Sequence, residues 1–191
     1  MYKNSRKREG RGREEKKEFD QHILDLARVT RVTQGGKQLS FRACVIIGDR
    51  RGRVGLGLAK GKDVQLAVDK SARQAKKNLI TVPIIKGTIP HVIICKFKAA
   101  RLILKPAPGG SGIIAGGAVR AILELAGVSN VSAKILSKTK NKIVIAKATM
   151  DALSGFKARA VKEVKESAKN EKIVEAPVEK AAAVVSESAV I

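Results

Sequence analysis

Two glycine-rich passages carry the residue types that could handle a phosphate. The first, GRVGLGLAKGKDV at residues 52–64, brings glycines and two lysines up to an aspartate; the second, PAPGGSGIIAGGAVRA at 106–121, is a glycine loop running into an apolar helical pattern. Backbone amides at such a loop bind anions, because unpaired donors and the helix dipole point the same way. The first passage fails both nucleotide patterns. Its order is G-x-x-G-x-G inside a strand pattern, and Gly61-Lys62 is followed by Asp63 where a magnesium-binding hydroxyl should stand. The second passage has the loop that small-molecule kinases use, but residues 81–155 contain only Glu124 and Asp151 as acids. A metal-bound nucleotide and a catalytic base need more carboxylates than that. A kinase-like enzyme is therefore the weaker reading, and the loop is better suited to letting an RNA or protein backbone come close.

Nothing else offers catalytic chemistry. His22, on the exposed side of a first helix, and His91, on a strand, have no cysteine, carboxylate or serine at a recognisable spacing. Cys44 and Cys95 stand far apart with no metal-ligand pattern, which reads as two small core residues. No metal, no cofactor and no enzymatic activity is expected.

The charge has a location. Of 39 basic and 17 acidic residues, 24 and 7 lie in 19–155, against 8 and 4 in 1–18 and 7 and 6 from 156 onward. The excess belongs to the folded part, whose surface repels itself unless a polyanion such as nucleic acid neutralises it. Membrane binding would concentrate its cations in one amphipathic segment, so no membrane partner is expected. The opening MYKNSRKREGRGREEKK has no apolar signal core, and no apolar run approaches the ~18 residues of a span, so the expected location is the cytoplasm. Four Phe, one Tyr and no Trp leave little for bases to stack on.

The elements that must position these groups follow from periodicity. A polar head, 1–18, precedes FDQHILDLA at 19–27, whose apolar residues fit a short amphipathic helix. RVTRVTQ and KQLSFRACVII flank Gly35-Gly36 as a hairpin, the second arm alternating as a half-buried strand. After GDRRG a third strand puts Val54, Leu56 and Leu58 on one face and Gly55, Gly57 and Ala59 on the other; Asp63 then caps a helix with Lys70, Arg73, Lys76 and Lys77 outward. That makes an α-β-β-β-α unit over 19–82. A second α+β unit, 83–155, reads as the hairpin IPHVIICKF/RLILKP, the glycine loop, a helix closed by Gly127, the strand VSNVSAKILS and the helix NKIVIAKATMDAL; a charged tail, 156–191, follows, its first part helical and the rest disordered.

VTRVTQGGKQLSFRACVIIGDRRGRVGLGLAKGKDV, the basic helix and PAPGGSGIIAGGAVRAILELAGVSNVSAKILSKTKN together resemble the family of bacterial small-subunit ribosomal protein number five, over about residues 19 to 155. The resemblance implies an N-terminal domain like a double-stranded-RNA-binding module and a C-terminal α+β sandwich. It further implies a constituent of the small ribosomal subunit, holding ribosomal RNA and touching small-subunit proteins number four and number eight. A place near the channel by which messenger RNA enters, and an influence on decoding accuracy, are implied as well. The family's RNA-reaching hairpin near the spectinomycin site falls on Gln34, Gly35, Gly36 and Lys37, and its accuracy-related border with protein number four on Gly112 and Arg120. Further candidate RNA-binding residues are Arg31, Arg42, Arg50, Arg51, Arg53, Lys60 and Lys62. The lysine cluster of a double-stranded-RNA module belongs in the first turn of the last helix. Here that turn carries Asp63 and the cluster lies further on, so Arg50, Arg51 and Arg53, around a tight glycine turn, are expected to be the better phosphate ligands. A free-standing RNA chaperone or regulator is the competing reading.

Overall fold

The computed structural model describes residues 19–156. Two antiparallel-dominated sheets and three helices stack in four layers, an α+β arrangement. The first sheet has the order β1(Asp20–Thr33), β2(Gly36–Gly48), β3(Arg53–Gly61), β4(Leu79–Thr81), with α1(Val64–Lys77) on one face. The second has β5(Ile93–Phe97), β6(Ala100–Pro106), β8(Val131–Ile135) and β7(Ile113–Ile114), in that order, where β7 runs parallel to β8 across α2(Gly117–Ala126). Helices α2 and α3(Lys142–Ser154) lie between the sheets and touch both.

The expected helix at 19–27 is instead the start of β1. A β-bulge explains the misleading period: Ile23 faces Val45 and Asp25 faces Cys44, so Leu24 is an extra residue that turns into the core. One inserted residue breaks the alternation of a strand and imitates helical spacing. Among the described residues the first unit is thus β-β-β-α with a fourth short strand. The shortest strands are also invisible in the pattern: β4, of three residues, and β7, of two, are too short to alternate.

β2 is not half-buried as expected. From Ala43 to Gly48 both of its faces are covered. Ala43, Val45 and Ile47 pack on α1, while Cys44 and Ile46 join Leu24, Val54 and Val82 in one cluster with Leu102, Leu104, Ile122, Leu123 and Leu153 of the second unit. The two units therefore share a core. Each fully buried aliphatic there contributes about 1.5–3 kcal/mol of transfer free energy. Burial, then the charge of Asp25, pushes the Cys44 thiol up to about 11, which leaves it protonated.

Caps hold the helices where the sequence placed them. The Asp63 carboxylate accepts from the Val64 amide at 2.7 Å, and Asn141 accepts from the Ile143 and Val144 amides. Gly127 closes α2 in the left-handed region at φ 81°.

Candidate nucleic-acid interface

The glycine face of β3 is already occupied. A Cβ on Gly57 would run into the carbonyl oxygen of Ser71, one on Gly55 into that of Ala75, and one on Gly61 would lie 2.8 Å from the Ala67 nitrogen. These glycines let α1 settle onto the sheet at backbone distance; no room is left for a phosphate. The bare face does admit a close approach, and its occupant is the chain's own helix.

The hairpin is the part that leaves the body. β3 pairs with β2 only from Phe41 to Gly48, so the five pairs from Val29↔Ser40 to Thr33↔Gly36 project alone, about 17 Å at the rise of a strand. The loop proper is Gln34-Gly35, one residue earlier than the expected Gly35-Gly36. Of the two glycines only Gly36 takes positive φ, at 137°; nothing lies within 4 Å of a Cβ at either. Directly paired residues share a face of the ribbon. Arg31 pairs with Gln38, and Arg42 with both Ala27 and Lys60, so Arg31, Arg42 and Lys60 line one face. Lys37 pairs with Val32 on the other, beside the exposed Leu39. Arg42 is partly held by Asp25 at 3.8 Å, and its Nε is buried without a partner. Lys60 and Lys62 are exposed and have no ion pair among the described residues.

The arginine turn is not the free trio the sequence suggested. Asp49 accepts from the amides of Arg51 and Arg53 and, at 2.6 Å, from Arg53 Nε. Burial alone would raise that carboxyl, but the Arg53 side chain and the two amides outweigh it and hold it below the usual carboxylate range. The Arg53 guanidinium also lies 5.2 Å from the Phe19 ring centre. Arg50 pairs with Asp20 at 2.8 Å, and its amide donates to the carbonyl of Leu125. The Gly52 amide donates to Ala126, and a Cβ on Gly127 would meet the Arg50 carbonyl. The turn is thus fastened to the end of α2, leaving Arg51 as its one side chain without an ion pair among the described residues. Asp20, Asp49 and Phe19 were missed as functional residues. Asp49 had a signal, an aspartate two and four residues ahead of turn amides; Asp20 and Phe19 had none once 19–27 was read as helix.

Gly112 and Arg120 lie on either side of β7. Gly112 has φ 68°, its amide donates to Asn130 Oδ1 and its carbonyl accepts from the Val131 amide; Arg120 pairs with Glu124 at 2.7 Å. A cleft of about 720 Å³ between β1, the arginine turn and α2 is lined by the Arg50–Asp20 pair, His22, Glu124 and Ser129, and among the described residues no hydrogen bond joins the Ser129 hydroxyl to His22 or to a carboxylate. His91 is in a bend ahead of β5, not on a strand, edge-on to Phe156 at 5.3 Å. On α1, Lys70, Arg73, Lys76 and Lys77 are all exposed. No helix among the described residues is long and apolar enough to cross a membrane.

Residues 19–83 match the family model described as ribosomal protein S5, N-terminal domain, and residues 95–168 match ribosomal protein S5, C-terminal domain. The chain belongs to the ribosomal protein S5 family. Small ribosomal subunit protein uS5 of Thermotoga neapolitana is 49% identical over 136 residues, 71% of this chain and 76% of the relative. Protein uS5c of Emiliania huxleyi is 45% identical over 153 residues, 80% and 96% of the two chains, and uS5 of Hydrogenobaculum is 47% identical over 136 residues, 71% of each. Family membership makes the chain a structural component of the small ribosomal subunit in the cytoplasm, with no enzymatic step to assign. The second family model extends past the last described residue, into the tail.

Proposed function

We propose that the chain holds small-subunit ribosomal RNA through the projecting β1–β2 ribbon, using Arg31, Gln34, Gly35, Gly36 and Lys37 at its end and Arg42, Lys60, Lys62 and Arg51 nearer the body. The observation that carries this is the ribbon itself. A two-stranded arm free of the core is marginal in isolation, and one tipped with open glycines and cations suits a groove or a turn of RNA backbone. Arg50 and Arg53 belong to the same reading as residues that fix the turn from which Arg51 extends. In the same reading Gly112 and Arg120 border protein number four, protein number eight is the second protein neighbour, and the ribbon's placement bears on messenger RNA passage and on decoding accuracy.

The test is binding of the full chain to a small-subunit ribosomal RNA transcript across a salt series. Each lost phosphate contact flattens the slope of log K against log salt by about 0.7–0.9. The variant R31Q/K37Q is expected to bind more weakly with a slope reduced by about 1.4–1.8 and an unchanged Tm. A slope equal to that of the unaltered chain would overturn the assignment of the ribbon.

A further inference from the structure

The two faces of the second sheet differ sharply. The inner one packs on α2 and α3; the outer one is open, and it collects cations that the ribbon reading does not use. Lys96 and Arg101 are directly paired across β5 and β6, and Lys134 is paired with Ile103 on the same face. Lys98 stands in the β5–β6 turn at φ 50°. The chain after β8 closes against the same end: the Leu136 amide donates to the Arg101 carbonyl at 2.8 Å, the Arg101 amide donates to Ser137 Oγ at 3.2 Å, and Lys138 follows. All five cations are exposed, and among the described residues none has an acidic partner. Four arginines elsewhere do have one. Between Cys95 and Met150 the chain's one acid is Glu124, which lies on α2 and is bound to Arg120.

We infer that the β5–β6 turn and the segment after β8 form a second RNA-backbone surface, in which Lys96, Lys98, Arg101, Lys134 and Lys138 contact phosphates without reading sequence. The inference rests on the RNA-binding reading above and adds a site to it. Neighbouring strands are only about 4.8 Å apart, so cations so placed repel one another until an anion joins them. The one aromatic ring beside the turn, Phe97, belongs to the inner face and is already covered by Lys98 at 5.9 Å and Lys147 at 6.0 Å, which directs contact to phosphate and ribose. Four of the five cations are lysines, and protein–protein interfaces are depleted in lysine. The apolar side chains on this face are the cross-strand pair Ile94 and Ile103, with Leu136 just past β8; Ile94 and Leu136 are 63% and 52% exposed, and so few aliphatics do not make the apolar centre that an acidic protein would need.

The full chain and two variants, K96Q/R101Q/K138Q and R31Q/K37Q, are titrated with a small-subunit ribosomal RNA transcript and, separately, with polyglutamate. All three replaced side chains of the first variant are exposed, so its Tm should match that of the unaltered chain. Its salt slope for RNA is expected to fall by about 2–3, and combining both variants should add the two losses. An RNA slope and affinity unchanged in K96Q/R101Q/K138Q, with R31Q/K37Q weakened, overturns this second surface and leaves the ribbon standing. Loss of polyglutamate binding with RNA binding intact overturns it in favour of an acidic protein. Failure of the unaltered chain to bind RNA overturns both readings.

Discussion

A single Cβ decides more at Gly57 than a whole charged side chain does on the surface. The hydrogen there faces the Ser71 carbonyl, and α1 cannot back away without uncovering Ala43, Val45 and Ile47. Gly57→Ala is expected to destabilise the chain by about 2–3 kcal/mol in a urea titration, whereas Gly35→Ala, with open space around it, should leave the midpoint where it was. Asp49 gives a pH-dependent counterpart. Its carboxyl is lowered in the folded chain, so its contribution is complete above the unfolded value of about 3.9 and disappears as pH falls through the folded value. Asp49→Asn should therefore lower Tm at pH 7, and the gap to the unaltered chain should narrow as the pH drops below about 4. A gap that stayed constant down to pH 2 would mean the ion pair with Arg53 contributes nothing.

At the scale of elements, the proposed reading has the arginine turn separate fastening, by Arg50 and Arg53, from RNA binding by Arg51. Arg50→Gln breaks the pair with Asp20 beside the α2 terminus, so the expected effect is on Tm. Arg51→Gln breaks no ion pair among the described residues, and the expected effect is a salt slope for RNA smaller by about 0.7–0.9 with Tm unchanged. Exchange of these two outcomes would show that the turn had been assigned the wrong way round. The sequence told most about elements whose period was uninterrupted. β3, α1 and α2 carry clean alternation or a clean apolar stripe, with caps at Asp63 and Gly127, whereas β2 is buried on both faces from Ala43 onward and α3 is buried around most of its circumference. It misled where one residue broke the period, as Leu24 does in β1. It was silent where partners are remote in sequence: nothing near Arg50 announces Asp20, and nothing in GRVGLGLA says that its bare face belongs to α1. The candidate cations could be named from type and position, but which of them were already neutralised depended on contacts only folding brings together.

For the whole molecule, the shared core makes a single unit out of two homology regions. Cys44, Ile46 and Val54 of the first sheet are buried against residues of α2 and α3, and Gly48 meets the Leu125 backbone closely enough that a Cβ would collide with it. Heat should unfold both regions in one transition, with calorimetric and van't Hoff enthalpies equal; two resolved peaks would show that the regions are stable separately. A shared core of this kind gives the ribbon a fixed origin, from which, in the proposed reading, its tip meets RNA at one place. The most direct test is sedimentation of cell lysates containing either the full chain or a form in which residues 30–39 are replaced by a two-residue turn. That excision spares every pair between β2 and β3, so both forms should fold with the same single transition. The account predicts the full chain at one copy per small subunit and the shortened form shifted to the free pool. A shortened form that sediments with small subunits as completely as the full chain, or a full chain found only in the free pool, would contradict it.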